Sequence, residues 1–339
     1  MTAEALVNGA FLGGLYALVA LGLSLVFGIM RVVNLAHGIM VLLGAYIAIL
    51  VTDQVDVDPL LTFVIVGPAV FLIAALTQRL LLHRLAGHSQ EAPLVATFGL
   101  LLLGQGLLTY TFGTSPRSLS APWGSQGISF LGITVQSGNV IGFVLAVIVV
   151  AAAQLVLTRT RFGTALRASA ADPATASTLG INIPVMHAIT FGAAAAIAAL
   201  GGIVYGTAFS VDPNAGLPLL VLGFTVVVIG GVGSVPGTLV GGVVVGVVAA
   251  AVGGIFGPVY SPIAVNLLLL LLLLLRPQGL AVSLRRRRTV ATRHRGVRIA
   301  RTEPPVRADA SVRAHSRHRH RRAPRLRDRD VSPQALITK

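Results

Sequence analysis

Two short clusters of polar residues and glycines interrupt the apolar runs of this chain, and chemistry is sought there first. The first is Asn34-Leu35-Ala36-His37-Gly38, just after Arg31. The second is Gly230-Gly231-Val232-Gly233-Ser234-Val235-Pro236-Gly237. A carboxamide, an imidazole and a glycine between apolar runs fit two arrangements. They can satisfy the ends of two helices joined by a short turn. They can also mark a broken helix whose backbone polar groups face a cavity near the membrane midplane. Four glycines and a proline do not continue a helix comfortably. The second cluster is therefore either a tight turn or the counterpart of the first break in the other half of the chain. Asn34, His37 and Gly38, with Gly230, Gly233, Ser234 and Gly237, are the candidates for lining a solute's path.

The same residues make a poor catalyst, and no enzyme is expected. There is no cysteine, so thiolate metal sites and cysteine nucleophiles are excluded. Ser234 lacks a carboxylate placed to orient His37 or His187 as its base. No G-x-x-x-x-G-K-[ST] loop occurs, so the chain is not expected to cradle ATP, and no cofactor or metal is expected. Any step driven by ATP would have to be powered by another polypeptide. The apolar runs carry no Asp, Glu, Lys or Arg in their interiors, which argues against ion coupling through buried carboxylates and against voltage sensing.

A third segment, residues 158–186, carries Arg161 and Arg167, then Asp172-Pro173 and Gly180. Asp172 suits an N-cap, Pro173 a first helical position and Gly180 the residue after a helix end. The pattern predicts one helix of about two turns. It is either an ordinary linker or a dock for a partner, and connections this long usually have a task. The stretch from Phe112 through Trp123 to Gln136 suits a lid or docking surface, or simply an interfacial Trp.

These groups must be positioned by membrane helices. Of 339 residues, 55% are hydrophobic and 11% charged, and the charged share is less than half the ~25% of ordinary soluble domains. A soluble fold cannot hide that much apolar surface. Apolar stretches at roughly 5–30, 38–52, 60–78, 93–112, 138–157, 187–209, 217–230, 238–252 and 262–275 predict an all-α polytopic membrane protein. It has about nine transmembrane helices, some broken or half-length. Arg79, Arg84, Arg159, Arg161, Arg167 and Arg276 fall on one side. Asp53, Asp56, Asp58 and Asp212, with Arg117, fall on the other. The arginine-rich side is cytoplasmic, so the N-terminus is expected outside and the C-terminus inside a plasma membrane.

The net charge of +15 belongs to the tail. Residues 285–339 hold 18 Lys and Arg against 4 Asp and Glu, leaving +1 for the rest. The expected division is a transmembrane domain at 1–284 and a disordered Arg-rich tail at 285–339. The tail suits anionic lipid surfaces. It lacks the aromatic platforms of an RNA-binding segment, and no nucleic-acid partner is expected.

The chain resembles the LivH-type permeases of branched-chain amino acid ABC importers. The resemblance rests on Asn34-Leu-Ala-His-Gly38, Gly180-Ile-Asn182, Gly230-Gly-Val-Gly-Ser-Val-Pro-Gly237 and Arg276-Pro-Gln-Gly279, in order over about residues 5–282. It implies an M-type permease partner, cytoplasmic ATP-binding subunits and an external solute-binding protein. It also implies that Arg161, Arg167, Asp172, Pro173 and Gly180 belong to the segment that couples to an ATPase. The basic tail has no place in the family pattern. Similar permeases carry urea and short amides, and a passive facilitator for such solutes is the alternative.

Overall fold

The structure, a computed structural model, describes residues 3–30, 32–85, 91–124, 126–130 and 133–275. The tail expectations and the Arg276–Gly279 motif lie outside these residues.

Apolar runs with few charges give long helices. In chain order they are α1 (Ala3–Met30), α2 (His37–Val55), α3 (Phe63–Thr77), α4 (His83–Leu85) and α5 (Ala92–Phe112). A two-stranded hairpin follows, β1 (Gly127–Phe130) and β2 (Ile133–Gln136), with Ile128 opposite Val135. Then come α6 (Ser137–Arg159), α7 (Arg161–Ala171), α8 (Pro173–Thr178), α9 (Ile183–Ala208), α10 (Gly216–Gly230), α11 (Val235–Phe256) and α12 (Ser261–Leu275). Among the described residues nine helices are long and apolar enough to cross a bilayer. The protein is a multi-pass membrane protein.

The bundle is built around α1 and α9. Their most apolar windows are each 72% buried inside the protein, against 11% for the last span. α1 packs on α11, α9, α6 and α10, while α9 also packs on α2 and α3. Leu15, Leu18, Leu21 and Leu23 of α1 and Phe191 and Ile203 of α9 are enclosed. Glycines let the helices approach this closely: Gly9 and Gly13 of α1 face Gly246 and Gly242 of α11. In lipid, where hydrophobicity does not drive helix association, such small-residue seams supply close van der Waals packing. The exposed leucines of α12 (Leu267, Leu270, Leu271 and Leu274) leave an apolar outer face suited to bilayer contact.

Three features depart from the sequence reading. The segment 158–186 holds two helices, since α7 precedes the expected α8. Thr160 caps α7, its hydroxyl accepting from the Gly163 N–H at 3.0 Å. Arg79 and Arg84, expected in a loop, lie on a helical continuation of α3 through a π-helical turn at Gln78–Leu82 into α4. The region between α5 and α6 carries the hairpin, an addition to the all-α expectation. It also carries a tied segment: Leu119 N–H donates to the Gly206 carbonyl, and Arg117 bridges Val211. Trp123 does not merely sit at an interface. Its Nε1 donates to Asp58 at 2.6 Å and joins two loops.

Candidate functional site

The first cluster forms a break buried inside the bundle. α1 ends at Met30 and α2 begins at His37, yet His37 Nε2 lies 2.8 Å from the Val19 carbonyl, eleven residues before that end. At 1.5 Å per residue this is about 16 Å back along α1. The chain therefore turns back into the bundle before helix resumes. A carbonyl can only accept, so Nε2 carries the proton of this hydrogen bond. The imidazole is enclosed among α1, α9 and α10. A methyl group on Gly22 would stand 3.2 Å from His37 Cε1, and one on Gly223 would stand 3.8 Å from Cδ2.

Backbone polar groups at such depth need partners. Asn34 supplies two: its Oδ1 accepts from Ala36 N–H at 3.0 Å and its carbonyl from His37 N–H at 3.3 Å. Thr97 of α5 supplies another, its hydroxyl accepting from Leu35 N–H at 3.3 Å. Gly38 then lies against Gly216, where any Cβ would strike the Gly216 carbonyl oxygen. The first turns of α2 and α10 thus meet, two positive helix ends side by side.

The second cluster is shorter than its sequence suggested. Only 231–234 leave helical structure, and Gly237 lies within α11. Gly231 and Gly233 take φ of +90° and +76°. Ser234 caps α11, its hydroxyl accepting from Gly237 N–H at 3.2 Å. Gly230 and Gly237 face one another across the hairpin, and Gly233 abuts Gly28 of α1.

A cavity of about 680 Å³ opens beside this turn. Ser24 and Gly28 of α1, Gln154 and Thr158 of α6, Arg167 of α7 and the turn itself line it. It brings Gly233 and Ser234 together with Arg167, two groups the sequence assigned to different tasks. Ser24 Oγ is buried with no hydrogen-bond partner among the described residues. Arg167 donates to the Leu157 carbonyl near the end of α6. Asn34 lies apart and lines a separate cavity of about 140 Å³ with Gln78 and Thr97. Arg161, Asp172, Pro173 and Gly180 line neither cavity.

The α8 segment closes as its residues require. Asp172 Oδ1 accepts from the N–H groups of Ala174 and Thr175 at 3.0 and 3.2 Å. The Thr175 hydroxyl donates to the same carboxylate. These bonds, the hydroxyl's first, hold the Asp172 carboxyl below its ordinary value. Gly180 has φ +83°. Its N–H donates to Ser177 and that of Ile181 to Ala176, a two-bond helix ending. Asn182 then caps α9, its Oδ1 accepting from Val185 N–H at 3.2 Å.

Ser24, Gln78 and Thr97 were not singled out from sequence. Gln78 offered the clearest signal, a lone carboxamide closing an apolar run. Among the described residues no group of three or more His, Cys, Asp or Glu is placed to hold a metal ion.

The family described as branched-chain amino acid transport system, permease component, matches residues 5–276. The chain is 30% identical over 249 residues to the high-affinity branched-chain amino acid transport system permease protein BraD of Pseudomonas aeruginosa. That alignment covers 70% of this chain and 81% of the relative. It is 29% identical over 246 residues to the permease LivH of Salmonella typhimurium, covering 69% and 80%. A probable permease LivH of Methanocaldococcus jannaschii is 27% identical over 247 residues, covering 69% and 76%. No solved structure matches the chain.

Proposed function

This chain belongs to the family of permease components of branched-chain amino acid transport systems, and from that premise we propose that it is the membrane-spanning permease subunit of an ATP-driven importer of these amino acids. It resides in the cytoplasmic membrane with its N-terminus outside and its C-terminus inside. It assembles with cytoplasmic ATP-binding subunits, which bind the ATP, with an M-type permease partner and with an external solute-binding protein. The buried break at Asn34–Gly38 carries the reading. It places polar groups and two helix ends inside an apolar bundle, an arrangement whose cost transport proteins bear along a solute path.

Among the described residues no Asp, Glu, Lys or Arg is buried in the interior to couple an ion gradient, which supports an external motor. The segment from Arg161 to Asn182 suits its docking. α7 packs on α1, α6 and α9. Through Arg167 it is tied to the end of α6 and borders the cavity at the α10–α11 turn. α7 packs on α1 and Gly28 of α1 abuts Gly233, so a push on α7 from an ATPase would reach the Gly231–Ser234 turn through α1. Gly233, Ser234 and Arg167 are then the parts where motor and path meet, and Asn34, His37 and Gly38 belong to the path's inner wall.

The test is reconstitution of the permease with its ATPases, partner and binding protein in proteoliposomes. ATP-dependent accumulation of leucine, isoleucine or valine is expected. Leucine entry that is unchanged without ATP and without the binding protein would refute the reading in favour of a passive facilitator.

A further inference from the structure

One side of the bundle carries polar groups at a depth where lipid does not suit them. α9 ends at Ala208, and the chain reaches α10 through residues 209–215, which close on a 3-10 turn at Pro213–Ala215. This connection does not stay at the end of the bundle. Asn214 Oδ1 accepts from Gln105 Nε2 of α5. Gln105 stands seven residues before Phe112, where α5 ends, so the turn lies about 10 Å below that end at 1.5 Å per residue. On the way down, the Val211 carbonyl accepts from the Tyr46 hydroxyl of α2 at 3.1 Å. The residue after the turn, Gly216, meets Gly38 of the buried break. Gly38 is seventeen residues before Val55, the last of α2, which is about 25 Å.

Irregular backbone and open polar groups at membrane depth occur only where protein buries them or where they line a water-filled cavity. Within this chain they are not buried. Asn214, Leu217 and Pro218 are exposed and Gln105 is half-buried. Asn214 Nδ2 and Gln105 Oε1 have no hydrogen-bond partner among the described residues, and Gln105 Oε1 is not enclosed. The two carboxamides therefore bond each other and keep both a donor and an acceptor open. α3 shows the contrast: it exposes Val64, Ile65, Leu72, Ile73 and Leu76, a face fit for lipid tails.

We propose that Gln105, Asn214 and the first turn of α10 wall the outer half of the solute path, a water-filled passage that descends beside residues 209–215 to the break at Asn34–Gly38. The proposal rests on the importer reading above and gives its path an entrance. A hydrated passage carries a zwitterion without fixed charges, because the solute keeps water on its ammonium and carboxylate groups. The open carboxamide groups hydrogen-bond that water. The far wall is another subunit, since water does not stand open against lipid tails.

The chain has no cysteine, so single cysteines report on water directly. Leu217→Cys, Asn214→Cys and, on the lipid-facing side, Leu72→Cys are made in the complete transporter in proteoliposomes and treated with a charged methanethiosulfonate. The cysteine thiolate displaces sulfinate from the reagent and becomes a mixed disulfide. Thiolate is scarce in apolar surroundings, and two pKa units, within the range of a desolvated group, change its amount about a hundredfold. Leu217→Cys and Asn214→Cys are expected to react about a hundredfold faster than Leu72→Cys. ATP-dependent uptake of radiolabelled leucine is expected to be lost as these two are modified, to return when a reducing thiol removes the label, and to be unaffected in Leu72→Cys. Reaction as slow as at Leu72→Cys would overturn the proposal and give this face to lipid or to a dry subunit contact. Fast reaction with undiminished uptake would also overturn it, leaving a wet crevice off the path. Where the two variants differ, Leu217→Cys decides, because the passage must extend past the turn; where one does not reach the membrane, the other decides. Failure of the unaltered transporter to accumulate leucine would overturn the importer reading, whereas the labelling rates, which need no transport, test the wet face separately.

Discussion

The contact between Gly28 of α1 and Gly233 of the α10–α11 turn allows steric and conformational costs to be separated. A methyl group on either glycine would stand 2.7 Å from the other's Cα, closer than real packing allows. Gly28 lies within helical α1, so Gly28→Ala adds only the steric term, about 1–3 kcal/mol for overpacking. Gly233 has φ +76°, and a side chain there adds about 1–2 kcal/mol for the left-handed conformation. Gly233→Ala should therefore be the more damaging by that second amount. At about 2–4 °C per kcal/mol for a large domain, melting in detergent should drop by about 2–12 °C for Gly28→Ala, and by a further 2–8 °C for Gly233→Ala. Gly233→Asn should recover part of the difference, because Asn tolerates the left-handed region. If the turn also serves the path, uptake per assembled complex should fall further than folded yield does. Equal melting of the two alanine variants, or a larger loss at Gly28, would refute the division of costs. Normal uptake by Gly233→Ala would refute the turn's role in transport.

Further outcomes are expected. Gly180→Val, which strains the end of α8, and Ala174→Arg, which blocks close approach, should leave assembly intact. ATP hydrolysis should then no longer respond to loaded binding protein; a normal response in both would make the segment a passive linker. Asp172→Ala should weaken the same segment by removing its cap. The lowered Asp172 value means the cap's contribution is complete above the ordinary carboxylate range and is lost as pH falls through the lowered value, so coupling by the unaltered protein should not vary across neutral pH in a coupled-ATPase assay. Truncation after Ser283 should leave substantial leucine uptake, and a C-terminal tag should be inaccessible from outside intact cells; loss of uptake at normal membrane levels, or external labelling, would contradict these expectations.

Much of the frame was legible because lipid imposes a simple rule: backbone groups must be satisfied within each span, so long apolar runs become helices. The nine apolar stretches correspond to the nine spans, and the Asp172, Pro173 and Gly180 signals gave the cap, first helical residue and left-handed ending of α8. α7 escaped notice because Gly163 and Thr164 break a short pattern that would not be helical in isolation. Gly163 is needed where α7 folds back on α6, beside the carbonyls of Val156 and Leu157. The hairpin escaped because four-residue strands carry little periodicity. Arg79 and Arg84 were placed in a loop because charge normally ends a span. Here the helix runs on past the apolar run, and its arginines complement the helix's negative end.

The depth of the first break was not available from sequence, for a physical reason. Asn34, His37 and Gly38 are equally suited to a surface turn and to a buried one, since both need short polar groups that satisfy helix ends. What distinguishes them is a partner far along the chain. The Val19 carbonyl receives His37, and Gly216 leaves room for Gly38. Neither Val19 nor Gly216 is unusual in its own surroundings, so neither marks itself as half of a contact. The break is therefore held by α1 and α10 together rather than by its own sequence. Because α10 continues directly into the Gly231–Ser234 turn, a displacement of that turn would be felt at Gly38 through one rigid helix of fifteen residues. This gives the two clusters a physical link that proximity does not, since Asn34 of the first and Gly231–Ser234 of the second line different cavities.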